Sequence, residues 1–263
     1  MARNFFSLTS GRICNMNIHF LIPLILQKII WVPTRLALVI CGRLEVSGLE
    51  NLNGLSRPVI FACNHSSEID PFMVPASLPF FSRFSPIFYA TKEMKFYRER
   101  GWRKYLFGGW FIKLWGGYTA YTGLKDYQKS LSSHINVVLH GGNFCIFPEG
   151  GITKDGNLQP AKGGMAYLAE RTGCSIVPVA VSGVYGMSVT DFFFGGLFGK
   201  NKIRINFGQA VTQEELNRNI PASTELGDNA YKKKGDYVMG KIQEGLGQRG
   251  TESNTCPAFS SSM

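Results

Sequence analysis

The 263-residue sequence lacks the cysteine spacing of disulfide-rich and zinc-binding proteins. Its six cysteines are dispersed, none of them at C-x-x-C spacing, and most lie in apolar runs. This usage predicts buried thiols and a reducing compartment. Histidine is also scarce. No ligand cluster surrounds any of the four histidines, so we expect no metal site; they are His19, His65, His134 and His140.

An uninterrupted membrane-spanning run is missing as well. A spanning helix needs about 20 apolar residues with few charges, and residues 18–41 are interrupted by Pro23, Lys28, Pro33 and Arg35. We therefore expect helices that lie in a membrane interface, with the basic side chains at the headgroups and Trp31 in the acyl region. The alternative is a pair of helices packed on the domain. No small-residue cleavage site follows, which argues against a signal peptide.

Acidic residues are too few to balance the basic ones. There are 28 Lys and Arg against 18 Asp and Glu, which gives a net charge of +10. Such a chain attracts anionic lipid, phosphate-bearing substrates or nucleic acid. Basic and aromatic residues alternate through 91–115, as is typical of a membrane interface or a contact with coenzyme phosphates or an acidic carrier protein. Single-stranded RNA is the rival ligand, but the sequence contains no RNA-binding signature, so we expect no nucleic-acid partner.

Strand and helix patterns alternate from residue 46 onward. Short apolar runs predict five strands, at 58–63, 87–90, 144–147, 175–181 and 202–208. Apolar residues recur at helical spacing before Gly141 and before Gly173, which predicts a helix in each place. Thr212 and Glu215 form the capping-box pattern of another helix. These patterns predict an α/β fold, in which one domain has a mixed, largely parallel central sheet flanked by helices and preceded by membrane-associating N-terminal helices. The expected divisions are apolar interfacial helices at 1–45, the domain at 46–245 and a disordered polar tail at 246–263.

The segment "NHSSEID", residues 64–70, follows the first predicted strand. Asp70 precedes Pro71 and is predicted to be the N-cap of a helix. The spacing allows the loop to bring His65 back onto Asp70. A carboxylate that accepts one ring N–H leaves the other nitrogen free as a base for a substrate hydroxyl. The simpler alternative is a helix cap beside a solvated histidine.

A second polar segment, "FPEGG" at 147–151, also follows a predicted strand. Gly150 and Gly151 permit close backbone approach, and Glu149 places a carboxylate at the strand end. Thr153 and Lys154 come next, and Lys162 lies near the start of a helix whose amino end can hold an anion. These are the candidate substrate-binding residues: Glu149, Gly150, Gly151, Thr153, Lys154 and Lys162. The alternative is an ordinary turn with solvated lysines.

Together these segments resemble the glycerolipid acyltransferase family, whose best-known members are the 1-acylglycerol-3-phosphate acyltransferases. "NHSSEID" matches N-H-x-x-x-x-D, "ATKEM" resembles the K-E-L segment, "FPEG" matches the third block, and "AKGGMAYLAERTGCSIVPVAVSG" resembles the fourth. The resemblance runs from about residue 46 to residue 210. It implies that His65 is the general base, that Asp70 orients it, and that Glu149 and Gly150 shape the acceptor pocket.

The resemblance also implies partners and a location. The acyl donor is an acyl thioester of coenzyme A or acyl carrier protein, the acceptor is a lysophospholipid such as 1-acylglycerol-3-phosphate, and no cofactor is needed. The protein is expected at the cytoplasmic face of a membrane, peripheral or monotopic, in phospholipid biosynthesis or remodelling.

The sequence departs from the family pattern where the acceptor phosphate is held. "GGYTAYTG" at 116–123 lacks the arginine of the second block, and Ile152 occupies the arginine position of the third. Isoleucine cannot bind phosphate as arginine does. Either Lys154, Lys162 or another base binds the phosphate, or the acceptor is a phosphate-free lysolipid. A catalytically silent lipid-binding protein is the rival from another class.

Overall fold

The computed structural model describes residues 18–40, 42–93, 95, 109–121, 124, 126–193, 202–220 and 227–247. Its strands are β1 (Glu45–Ser47), β2 (Ile60–Cys63), β3 (Ile87–Thr91), β4 (Gly117–Thr119), β5 (Asn143–Ile146), β6 (Ile176–Ser182) and β7 (Arg204–Phe207). They form one sheet in the order β1-β7-β6-β2-β5-β3-β4. All neighbouring strands are parallel except β6 and β7. The predicted α/β domain with a mixed, largely parallel sheet is confirmed.

Helices cover both faces of this sheet. They are α1 (Ile18–Ile40), α2 (Asp70–Ser77), α3 (Trp110–Trp115), α4 (Tyr127–Ser130), α5 (Ser132–Leu139), α6 (Gly164–Thr172), α7 (Val189–Phe193), α8 (Gln213–Asn219) and α9 (Asp228–Gly247), with a 3₁₀ turn at Leu49–Leu52. One apolar cluster joins Phe61 and Val179 to α1, α2 and α3. A second cluster joins Ile60 and Phe144 to α5, α6 and α9. The sheet is therefore the middle layer of three.

The five predicted strands all occur, and the sheet has two further strands, β1 and β4, at its two edges. Strands β1 and β4 have three residues each, too few for an alternating pattern to be recognised. Helix α9 was also missed, because glycines and a lysine run dilute its apolar face. This helix continues to Gly247, into the predicted tail, and residues 248–263 lie outside the described residues. Half of the predicted capping box is present, since the Thr212 hydroxyl accepts the Glu215 amide N–H at 3.2 Å, whereas the Glu215 carboxylate accepts the Tyr237 hydroxyl.

The N-terminal segment is one continuous helix rather than several. Helix α1 continues through Pro23 and Pro33. The sequence predicted that its basic side chains reach lipid headgroups, but Lys28 and Arg35 turn to the domain instead. Lys28 binds the carbonyl oxygen of Phe80, and Arg35 binds that of Ala76 at 3.0 Å. These contacts offset the burial of the two charges and fasten the helix to the end of α2 and the loop that follows.

The indole of Trp31 and the amide of Gln27 extend these contacts. Trp31 donates its ring N–H to the Leu78 carbonyl at 3.0 Å, so its nitrogen faces the domain and not an acyl region. Gln27 donates to the carbonyls of Ile87 and Trp115 and accepts the Ile87 amide N–H. The side chain of Gln27 thus joins α1 to β3 and α3.

The outward face of α1 is almost wholly aliphatic. Its exposed large side chains recur at helical spacing: Ile18, Leu21, Ile22, Ile25, Ile29, Val32, Leu36, Val39 and Ile40. Among the described residues this is the one helix long and apolar enough to cross a membrane, and 22% of its most apolar window is buried. Length and apolar composition alone are a weak indication of membrane association, because signal sequences and core helices share them.

Several sequence predictions fall on residues that the structure leaves undescribed. Residues 96–108, which make up most of the basic and aromatic segment at 91–115, are among them, as are Cys14, Cys41 and Cys256. The other three cysteines are buried free thiols, as predicted: Cys63, Cys145 and Cys174. Burial raises the pKa of each of these thiols.

Candidate active site

Three loops meet at one edge of the sheet. They follow β2, β5 and β6, which are neighbours in the order β6-β2-β5. Because these strands are parallel, their carboxyl ends meet at the same edge, which is where α/β folds bind ligands. The "NHSSEID" and "FPEGG" segments are the first two of these loops, and the structure brings them into direct contact.

The side chains of His65 and Asp70 form the centre of this edge. The Nδ1 atom of His65 lies 2.9 Å from Oδ2 of Asp70. The carboxylate is fully buried, whereas the histidine side chain is 16% exposed. An ionised carboxylate only accepts hydrogen bonds, so Nδ1 carries the hydrogen and Nε2 has a free lone pair. His65 can therefore take a proton from a group that approaches Nε2.

The Asp70 carboxylate does not cap α2, contrary to the sequence prediction. Ile69 is the N-cap, and Asp70 is the first residue of the helix. The carboxylate turns back to the preceding loop, where Oδ2 accepts the amide N–H groups of Ser66 at 2.8 Å and Ser67 at 2.9 Å. The Ser67 hydroxyl binds the other oxygen. These bonds shape the loop that presents His65.

Two neighbours fix His65 from other directions, and neither was assigned a role from the sequence. Phe147 stacks on the imidazole with ring centroids 4.0 Å apart. Asn64 is buried and binds both backbone groups of Val181, accepting the N–H at 2.7 Å and donating to the carbonyl at 2.9 Å. Asn64 thereby extends the pairing of β2 with β6 up to the residue before the histidine.

Glu149 acts on the backbone of the histidine loop. Its Oε1 accepts the amide N–H of His65 at 2.8 Å, and its Oε2 accepts that of Gln159 at 3.0 Å. Only 7% of the residue is exposed. Burial raises the pKa of the Glu149 carboxyl, and the two amide N–H groups oppose part of that rise. Both carboxylate oxygens are thus engaged within the protein, and Glu149 positions His65.

Two lysine ammonium groups lie against the glycine turn that follows Glu149. Gly150 has a left-handed backbone, with φ at 70°, and a methyl group there would lie 2.7 Å from Nζ of Lys162. A methyl group on Gly151 would lie 2.9 Å from Nζ of Lys92. The absence of side chains at these two positions gives the ammonium groups room to approach the turn. Lys92, in the "TKEM" segment, was not among the sequence candidates.

The remaining candidates lie further along the same loop. Thr153 is buried, and its hydroxyl lies within hydrogen-bond distance of an oxygen of Asp155 and of the carbonyl oxygen of Asn157. Its amide N–H binds the His65 carbonyl at 2.8 Å, so Thr153 also holds the histidine loop. Lys154 is exposed, and Ile152 is half-buried. A substrate contact by Thr153 or Lys154 stays a prediction.

The arrangement is suited to proton transfer. A histidine with one nitrogen bound to a buried carboxylate is a general base for a hydroxyl, and neighbouring lysines favour an anionic substrate. Among the described residues, no cluster of three His, Cys, Asp or Glu is placed to hold a metal ion.

Replacing Glu149 by Gln tests its positioning role. The amide would turn its NH₂ group toward one backbone N–H, and that N–H would lose its acceptor. We expect the free energy of unfolding to fall by about 1–3 kcal/mol, measured by urea denaturation. Glu214→Gln, on the exposed face of α8, is the matched control and should stay within about 0.5 kcal/mol of the wild type. Equal stability of both variants would contradict the assigned role.

Comparisons with known proteins identify the family and the fold. The acyltransferase family model matches residues 43–182, more than half of the chain. The crystal structure of the 1-acyl-sn-glycerophosphate (LPA) acyltransferase PlsC from Thermotoga maritima is similar in fold, with a TM-score of 0.56 and 18% identity over 86% of this chain and 81% of that chain. A search of the curated proteins finds no match. The matched residues include β2, β5, β6 and the loops that hold His65, and the chain belongs to the glycerolipid acyltransferase family.

Proposed function

We propose that this protein moves a fatty acyl chain from an acyl thioester to the hydroxyl group of a lysophospholipid such as 1-acylglycerol-3-phosphate. The observation that carries the proposal is the 2.9 Å contact between His65 and the buried Asp70. That pair supplies a base, and the acceptor supplies the nucleophile. Coenzyme A or acyl carrier protein is the leaving thiol.

The proton follows a closed path in this reaction. Nε2 of His65 takes the proton of the acceptor hydroxyl as its oxygen attacks the thioester carbonyl carbon. The carbon–sulfur bond then breaks, and the imidazolium returns the proton to the thiolate. Asp70 remains ionised and stabilises the imidazolium, as in other histidine–carboxylate pairs. The products are an ester and a free thiol, so the chemistry balances without a cofactor.

The acceptor phosphate is proposed to bind between Lys92 and Lys162. These ammonium groups flank the Gly150–Gly151 turn and come from two different elements, the end of β3 and the segment before α6. Lysine binds phosphate as a point charge, without the bidentate geometry of arginine. The pair would thus take over the function that Ile152 cannot perform at the family's arginine position.

The location proposed for the enzyme is the cytoplasmic face of a membrane. The exposed aliphatic face of α1 supports contact with a membrane, since burying it in lipid removes a large apolar area from water. With Lys28 and Arg35 bound to carbonyl oxygens, the helix would lie in one leaflet with its apolar side outward. A lipid acceptor would then approach from the same surface.

Thiol release from acyl-coenzyme A and acyl carrier protein, with and without lysolipid acceptors, tests the activity. His65→Ala should lower acceptor-dependent release by about 10²–10⁴-fold, the usual contribution of a positioned base. His140→Ala, at an exposed histidine, is the control. Unchanged turnover in His65→Ala would refute the assigned base. Wild-type protein that binds lipid but releases no thiol with any acceptor would identify a silent binder.

The headgroup proposal is tested by comparing lysophosphatidic acid with monoacylglycerol, which lacks the phosphate. Lys92→Met and Lys162→Met should each lower the preference for lysophosphatidic acid roughly tenfold, because each removes one charge from the phosphate site. Lys154→Met tests the alternative phosphate ligand, and Lys129→Met, at an exposed lysine of α4, is the control. A wild-type preference for monoacylglycerol, or a loss confined to Lys154→Met, would contradict the proposed pair.

Flotation with anionic vesicles tests the location. Wild-type protein should rise with the vesicles, and Ile25→Ser with Ile29→Ser should lower the bound fraction about tenfold or more, because two apolar side chains no longer enter the lipid. Leu124→Ser with Leu139→Ser removes two exposed leucines elsewhere and should not reduce flotation. Wild-type protein that stays with the soluble fraction would contradict the proposal.

A further inference from the structure

An open groove begins at His65 and extends away from the two lysines. It has a volume of about 2020 Å³, and Asn64, His65 and Ser66 line its near end. The loop at 156–158 forms one wall, and the end of α9 closes the far side. Lys92 and Lys162 are not among the described residues that line it. His65 therefore lines the groove, and the two lysines lie outside its lining.

The floor of the groove is the part of the sheet, on β1, β7 and the end of β6, that helix α9 leaves uncovered. Glu45 and Ser47 of β1 lie beside Arg204 and Asn206 of β7, and Ser182 of β6 lies on the other side of Arg204. The alternate residues of these strands are buried on the opposite face, as the pleat requires. The side chain of Asn206 donates to the Ser47 hydroxyl at 2.8 Å. This floor offers hydroxyl and amide groups along its length.

Carboxylates outnumber cations in the groove, since it is lined by five glutamates but by three basic residues, Lys202, Arg204 and Lys241. Lys202 and Arg204 both bind the Glu45 carboxylate, and Lys241 binds Glu244 at 3.3 Å. Each lysine and arginine among the described lining residues thus has a carboxylate partner. A phosphate would meet carboxylates here and no unpaired cation, whereas a neutral chain with amide groups would find hydrogen-bond partners.

We propose that this groove holds the pantetheine arm of the acyl donor. The inference rests on the proposed function. The arm is neutral between its thiol and its phosphate, and it carries two amides and a hydroxyl. With the thioester at His65, these groups would lie over Ser182, Asn206 and Ser47. The same arm belongs to coenzyme A and to acyl carrier protein, so the groove serves either donor.

The proposal gives the two substrates opposite sides of the histidine. The acceptor headgroup enters beside Gly150 and Gly151, at the β3 and β5 side of the site. The donor arm enters over β6, β7 and β1. The acceptor hydroxyl and the thioester carbon then meet at Nε2 of His65, and neither substrate crosses the space of the other.

A series of donors that share one acyl chain tests this placement. The donors are the thioesters of coenzyme A, acyl carrier protein, pantetheine and N-acetylcysteamine, the last of which ends after the first amide. Ser47→Trp and Asn206→Trp fill the groove. We expect each to lower kcat/KM about tenfold or more for the three donors that carry the full arm, and less than about threefold for N-acetylcysteamine. Ser133→Trp, on the exposed face of α5, is the matched control.

The alternatives give different patterns. An equal loss with all four donors, or no loss with any, would overturn the inference. A loss confined to the coenzyme A donor would assign the groove to the nucleotide, and a loss confined to acyl carrier protein would assign it to a protein contact; either result would overturn it. Asn206→Ala adds no bulk, so it separates loss of the amide contact from misfolding caused by tryptophan. It should lower kcat/KM about threefold for the full-arm donors. If no donor supports transfer by the wild type, the proposed function fails and the inference fails with it.

Discussion

The buried carboxylate of Asp70 is the constraint on which the rest of the site depends. A charge with no solvent exposure needs several hydrogen bonds, and this one receives them from the ring of His65, two backbone amides and a serine hydroxyl. All of these donors lie within six consecutive residues, so satisfying the carboxylate also folds the loop. The histidine is therefore oriented by the same bonds that make burial of the charge tolerable.

A second carboxylate controls the same histidine through its backbone. Glu149 comes from the loop after β5 and binds the His65 amide N–H, while Thr153 of that loop binds the His65 carbonyl. Two adjacent strands thus hold the ring and the main chain of one residue by independent contacts. Sites held from several directions keep their geometry when substrate arrives, which is the condition for efficient proton transfer.

Sequence patterns predicted the layers better than the contacts. Four of the five central strands were identified from near-continuous apolar runs, which are characteristic of strands buried on both faces, whereas β7 alternates apolar and polar residues. The role of Asp70 was predicted in part. Its spacing from His65 indicated the pair, but Asp before Pro is also a helix-capping signal, and the tertiary fold turned the carboxylate toward the loop. The contacts of Glu149 and Lys92 could not be predicted without the strand order. The partners of Glu149 lie up to 84 residues away in the sequence, and Lys92 approaches Gly151 across 59 residues.

The polar side chains of helix α1 form hydrogen bonds with the α/β domain. Gln27, Lys28, Trp31 and Arg35 all bind carbonyl groups of the α/β body, so the helix cannot turn about its own axis without breaking several hydrogen bonds. The orientation of its aliphatic face relative to His65 is therefore fixed. On the proposed membrane surface, α1 sets the height of Nε2 above the acyl region of the bilayer. Lipid acceptors would then be selected by how far their free hydroxyl lies from the hydrocarbon, before any headgroup contact is made.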